Sequence, residues 1–123
     1  MDYLKIQNEL LLKYQVTLIE NSTCWRRTHA HCDGSRRICK LQIKNSYASL
    51  FTLLHEIGHL ETTKTSMKRC ESESEATRWA ITELRKMKIP VKRKFVQKYK
   101  AYITMTYERG VRRGLKKKVT LIV

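Results

Sequence analysis

An α+β fold is predicted for this 123-residue chain, and three features predict it. Four segments repeat apolar residues at helical spacing. Short β-type runs flank an Asp-Gly pair, a strong hairpin signal. The length suits one domain with one core, and no stretch approaches the ~18 to 20 apolar residues of a membrane span.

The elements follow in order. Residues 2–14 form the first predicted helix, with Leu4, Ile6, Leu10, Leu11 and Tyr14 near helical spacing. Val16 to Glu20 is a short β-type run, and Asn21-Ser22-Thr23 is a turn. Residues 24–32 and 37–43 are the expected arms of a hairpin around Cys32-Asp33-Gly34-Ser35. In the second arm Cys39, Leu41 and Ile43 alternate with Lys40 and Gln42, which gives one buried and one wet face. The expected sheet is therefore short and antiparallel. Asn45 or Ser46 can cap the next helix, roughly 47–61. After the polar stretch 62–68 a helix is predicted over 70–88, closed by Pro90. A basic helix over 91–109 has Phe95, Val96, Tyr99, Tyr102, Ile103 and Tyr107 on its apolar side. Gly110 and Gly114 loosen the chain beyond it. The terminal run 119–123 has no assigned role.

The expected organisation is a core over 1–90 and a basic helical extension over 91–123 packed on the same domain. Charge divides at nearly the same place. Residues 85–118 hold 14 Lys or Arg and one acidic residue, Glu108, a net of +13 within a chain of +15. With Tyr99, Tyr102 and Tyr107 interleaved, this region is a candidate contact for DNA or another nucleic acid. A basic helix that only solubilises the chain is the plain alternative. The N-terminus lacks the basic-then-apolar layout of a signal peptide, so a cytoplasmic location without membrane association is expected. Cys24, Cys32, Cys39 and Cys70 form no CxxC pair and are expected as reduced, structural thiols. Cys24, His29, His31 and Cys32 are close enough in sequence for a second metal site, although their spacing fits no common zinc knuckle.

The run LFTLLHEIGHL carries the chemistry. His55 and His59 stand about 40° apart on a helix, one turn along, so both imidazoles can reach one metal ion. Glu56 points elsewhere, near enough to act on a water at the metal as a general base. A bare HExxH can also be two histidines on an exposed face. Here Leu50, Phe51, Leu53, Leu54, Ile57 and Leu60 predict a buried helix, where polar groups are costly unless partnered. Gly58 predicts the close approach of another element.

A zinc site of this type needs a third protein ligand. The next helix offers Glu71, Glu73 and Glu75. With Glu73 at 0°, Ala76, Thr77, Ala80, Leu84 and Met87 fall within about 60° of it, while Glu71 and Glu75 fall near 160° and 200°. Glu73 is thus the carboxylate aimed at the core, and the other two are expected in solvent. The alternative is that Glu73 only complements the helix dipole in the first turn.

FTLLHEIGHL followed by ExEAxxxA and Pro90 resembles the ImmA/IrrE family of gluzincin-like metallopeptidases. Phe51, Thr52, His55, Glu56, Gly58 and His59 match the first part of that family's pattern, and Glu73, Glu75, Ala76 and Ala80 match the second. Thr77 stands where Asn is usual, and Trp79 where Phe is usual. The resemblance covers roughly 1–90. It implies a small zincin-like domain, Zn2+ held by His55, His59 and Glu73, and Glu56 as general base. It also implies a protein substrate, such as a transcriptional repressor. The strand around Leu41-Gln42-Ile43 could pair with an extended substrate. The rival reading is a nucleic-acid-binding regulatory protein whose zinc site is structural or inactive. A basic ribonuclease-like toxin would suit the size and charge but leaves His55, Glu56, His59 and Glu73 unexplained.

Overall fold

The computed structural model describes residues 1–19, 31–33, 37–64 and 67–114, and of 31–33 the backbone alone. Among these residues the order is α1 (Tyr3–Lys13), β1 (Thr17–Ile19), β2 (His31–Asp33), β3 (Ile38–Lys40), α2 (Tyr47–Thr62), α3 (Arg69–Lys86) and α4 (Arg93–Arg112). The α+β class expected from the sequence is what the chain adopts. No helix among the described residues is long and apolar enough to cross a membrane.

α1 begins at Asp2, whose side chain accepts from the Lys5 backbone N–H at 3.0 Å. Its buried line is not fully apolar. Leu10 is buried and Leu4 is exposed, while Gln7 is completely buried. The Gln7 amide donates to the Tyr3 and Lys44 carbonyls and accepts from Ser49 Oγ, which ties α1 to the start of α2. A buried amide with every polar group satisfied is tolerated where an unpaired one is not.

α1 and α3 end alike. After α1, the Gln15 N–H bonds the Leu12 carbonyl and the Val16 N–H bonds the Leu11 carbonyl. After α3, the Lys88 N–H bonds the Arg85 carbonyl and the Ile89 N–H bonds the Leu84 carbonyl. Both are Schellman ends, with Val16 and Ile89 buried just beyond. Gln15 (φ 54°) and Lys88 (φ 57°) occupy the left-handed position usually given to glycine.

The sheet corrects the expectation. Its order is β1-β3-β2, with β3 antiparallel to β2 but parallel to β1. The Asp33↔Ile38 pairing agrees with the hairpin arms, although residues 34–36 lie outside those described. β3 lies between its neighbours because β1 pairs with the returning arm. Nothing local in Val16 to Glu20 specifies that long-range pairing. The second arm is also shorter than expected. The Leu41 N–H still bonds the Ile19 carbonyl, but 41–44 then leave the sheet to meet α1 and α2. Leu41-Gln42-Ile43, expected as strand, therefore lies beyond β3.

α2 starts at Ser46, whose Oγ accepts from the Ser49 N–H at 3.1 Å. Leu50, Phe51, Leu53, Leu54 and Ile57 are fully buried, so this helix forms the centre of the core. α3 crosses it at Gly58. A Cβ there would lie 2.6 Å from the Ala76 carbonyl oxygen and 3.0 Å from its Cα. Ala80 and Leu84 continue the buried face of α3. Glu71 and Glu75, expected in solvent, are half-buried, and Glu71 accepts from the Lys68 N–H at the helix start.

α4 runs through Gly110, where the sequence predicted a loosened chain. Phe95 and Tyr99 stack on Phe51 with centroids 5.9 and 5.3 Å away, and Ile103 is buried. Tyr47 Oη donates to the Pro90 carbonyl and accepts from the Lys92 N–H, which fixes the turn from α3 into α4.

Candidate metal centre

Three side chains from two helices meet at one point. His55 Nε2 lies 2.8 Å from Glu73 Oε2, His59 Nε2 lies 3.2 Å from the same oxygen, and the two Nε2 atoms are 3.1 Å apart. The one-turn spacing of the histidines aligns them on α2, and the close crossing at Gly58 brings Glu73 across from α3. Among the described residues, this is the group of His, Cys, Asp and Glu side chains that could hold a metal ion.

The outer ring nitrogens are also held. Thr77 Oγ1 donates to the Glu73 carbonyl at 2.9 Å, so toward His55 Nδ1, 3.1 Å away, it presents a lone pair. That contact places the His55 proton on Nδ1 and leaves the Nε2 lone pair facing the centre. His59 Nδ1 lies 3.0 Å from Ser72 Oγ, which lies 2.8 Å from Thr63 Oγ1. Two nitrogen lone pairs and a carboxylate oxygen at these separations repel one another unless positive charge sits between them. Protons can supply it, and so can a cation.

The donor set fits zinc. Four ligands about 2.0–2.1 Å from a tetrahedral zinc stand about 3.3–3.4 Å apart. The observed triangle needs to open by only a few tenths of an ångström. Two imidazole nitrogens and one carboxylate also leave a fourth position for water or substrate. His59 and Glu73 keep 15% and 12% of their side-chain exposure against 4% for His55, so the centre opens on the His59 side.

The electrostatics agree. Burial pushes the Glu73 carboxyl up, but the hydrogen bonds and charge of His55 and His59 outweigh it and hold Glu73 at about 2. Burial pushes the His59 imidazolium pKa down, and Glu73, helped by Glu56, raises it above the ordinary value. Glu56 is buried. Burial first, then Glu56, pushes the Cys39 thiol up to about 12. Glu56 follows His55 directly on α2 and is buried with it.

Sequence patterning picks out His55, His59 and Glu73, and these three side chains converge. It does not assign Ser72 a role, and it places Thr77 on the Glu73 face without giving it a partner. Thr77 is one turn after Glu73 on the same face, which is the signal that could have found it. It also misses Tyr99, whose ring covers His55 with centroids 4.4 Å apart. No local pattern links residues so far apart in the chain. Of the suggested second site, Cys24 and His29 lie outside the described residues, as do the side chains of His31 and Cys32. Cys39 and Cys70 are free and buried.

No family model, curated protein or solved structure matches the chain, so its chemistry is read from its own side chains.

Proposed function

We propose that the chain is a zinc-dependent peptidase of the ImmA/IrrE type, with a zincin-like core, that cuts a regulatory protein such as a DNA-bound repressor. The observation that carries this reading is the convergence of His55 Nε2, His59 Nε2 and Glu73 Oε2. His55, His59 and Glu73 hold the ion, and Thr77 and Ser72 fix the imidazoles so that Nε2 faces it. Bound zinc supplies Lewis acidity, which eases deprotonation of a water and polarises a carbonyl. Glu56 takes the water's proton as the water oxygen bonds to the scissile carbonyl carbon, and passes that proton to the amine nitrogen as the C–N bond breaks. The Tyr99 ring packs against the His55 ring. The resemblance of FTLLHEIGHL and ExEAxxxA supports the same assignment.

The test is Glu56→Gln, which removes the base and no ligand. The zinc-loaded protein and this variant are each incubated with a peptide library, and new termini are read by mass spectrometry. Products from the native chain that fall at least about a hundredfold in Glu56→Gln, with zinc content unchanged, support the reading. Equal products from both, or none from the native protein, count against it.

A further inference from the structure

α4 carries cations on both flanks, but not evenly. With Tyr102 at 0°, helical geometry puts Lys94, Lys98, Arg109, Arg112 and Arg113 between about −80° and +20°. Arg93 and Lys100 fall on the far side, near 160–180°. Glu108, the carboxylate of α4, lies about 40° outside the arc. All five cations of the arc are exposed. They form a row about 28 Å long, with a gap between Lys98 and Arg109.

Arg69 fills that gap from another element. Its Nη2 donates to Tyr102 Oη at 2.9 Å, which sets a guanidinium about one turn beyond Lys98. Next to it, a cleft of about 360 Å³ opens between the start of α3 and the end of α4. Lys68, Arg69, Arg109 and Arg113 line it, Gly110 adds no side chain, and no carboxylate is among its lining residues. None of the metal-site residues lines it either. Like charges from two helices repel, and such an arrangement is stabilised by an anion between them.

The geometry points to a phosphate-binding track for a nucleic acid, running from Lys94 along α4 and completed by Arg69 and the α3–α4 cleft. A linear row suits a linear polyanion, and about 28 Å corresponds to about eight base-pair steps along a duplex axis at 3.4 Å each. Four of its cations are Arg, whose planar fork matches phosphate oxygens. The row lacks the broad apolar face by which an interfacial helix enters a membrane. Contacts to phosphate alone make the binding independent of sequence. The track requires no metal, so it stands whether or not the peptidase reading does.

The experiment is fluorescence anisotropy of a labelled 20-base-pair DNA of arbitrary sequence with the full chain, between 50 and 200 mM salt. Affinity should fall as salt rises. The Arg69→Gln/Arg109→Gln double variant should weaken binding at least tenfold at 50 mM and lower the salt slope by about 1.8. Arg93→Gln/Lys100→Gln loses the same charge from the other flank and should weaken it less than threefold. Arg112→Gln/Arg113→Gln, both exposed and at the end of α4, should weaken it at least fivefold, which keeps the test valid if loss of the Arg69–Tyr102 bond disturbs the fold. Equal weakening by the Arg93/Lys100 pair would show diffuse charge and overturn the track. So would no binding at 50 mM, or tight binding of inorganic pyrophosphate or anionic vesicles in place of DNA.

Discussion

Glu73 brings together the two demands of the centre, because it must leave solvent and remain ionised. Burial opposes ionisation, and the two imidazoles reverse the balance. Without metal, the raised His59 group stabilises the fold below its unfolded value near 6.5, and this is lost as pH rises through the folded value. The depressed Glu73 group stabilises it above its unfolded value, and this is lost as pH falls toward about 2. The metal-free pair is therefore most stabilising between about pH 4.5 and 6.5. On the proposed reading zinc would displace a proton from His59, so its affinity should fall below neutrality by roughly tenfold per pH unit for each proton displaced. Competition titrations at pH 5.5 and 7.5 check this, and equal affinities would contradict it. Thr77→Val keeps the side-chain shape and removes the partner of His55 Nδ1. It should weaken zinc binding about 10- to 100-fold, read by the same titration, while the circular dichroism spectrum is unchanged.

At the scale of elements, the crossing of α2 and α3 decides whether the ligands meet. Gly58→Ala gains about 1 kcal/mol of helix propensity but drives a methyl into the Ala76 backbone. A net loss of about 1–3 kcal/mol in urea unfolding is expected, with weaker zinc binding as α3 is pushed aside. An unchanged midpoint would mean that the crossing adjusts freely. Lys88→Gly should act in the opposite direction. It relieves the left-handed position after α3 and should stabilise by about 0.5–1 kcal/mol without altering metal affinity. The helices were legible because Leu50, Leu53, Leu54 and Ile57 repeat at helical spacing, and Gly58 with Ala76 and Ala80 announced a close crossing. The parallel β1–β3 pairing was not legible, because it depends on which distant strand meets Val16 to Ile19. The Schellman ends were hidden because Gln15 and Lys88 stand where glycine would have marked them.

For the whole molecule, α4 serves two neighbours at once. Its inner face packs Phe95, Tyr99 and Ile103 on the core and covers His55. Its cationic flank meets Arg69 at the start of the helix that carries Glu73. The sequence revealed the charge of this region and its apolar side. It did not reveal that Tyr99 reaches the candidate metal site or that Arg69 joins the cationic row, since both depend on tertiary packing. A metal bound only by the folded state should raise stability by about 2.7 kcal/mol at a hundred times its dissociation constant. The central claim is most directly tested by the zinc content of the purified protein, measured by mass spectrometry beside His55→Ala and Glu73→Ala. One tightly held zinc per chain, lost in both variants, is the expected result. No zinc in the native chain after zinc-replete preparation, or zinc retained by both variants, would contradict it.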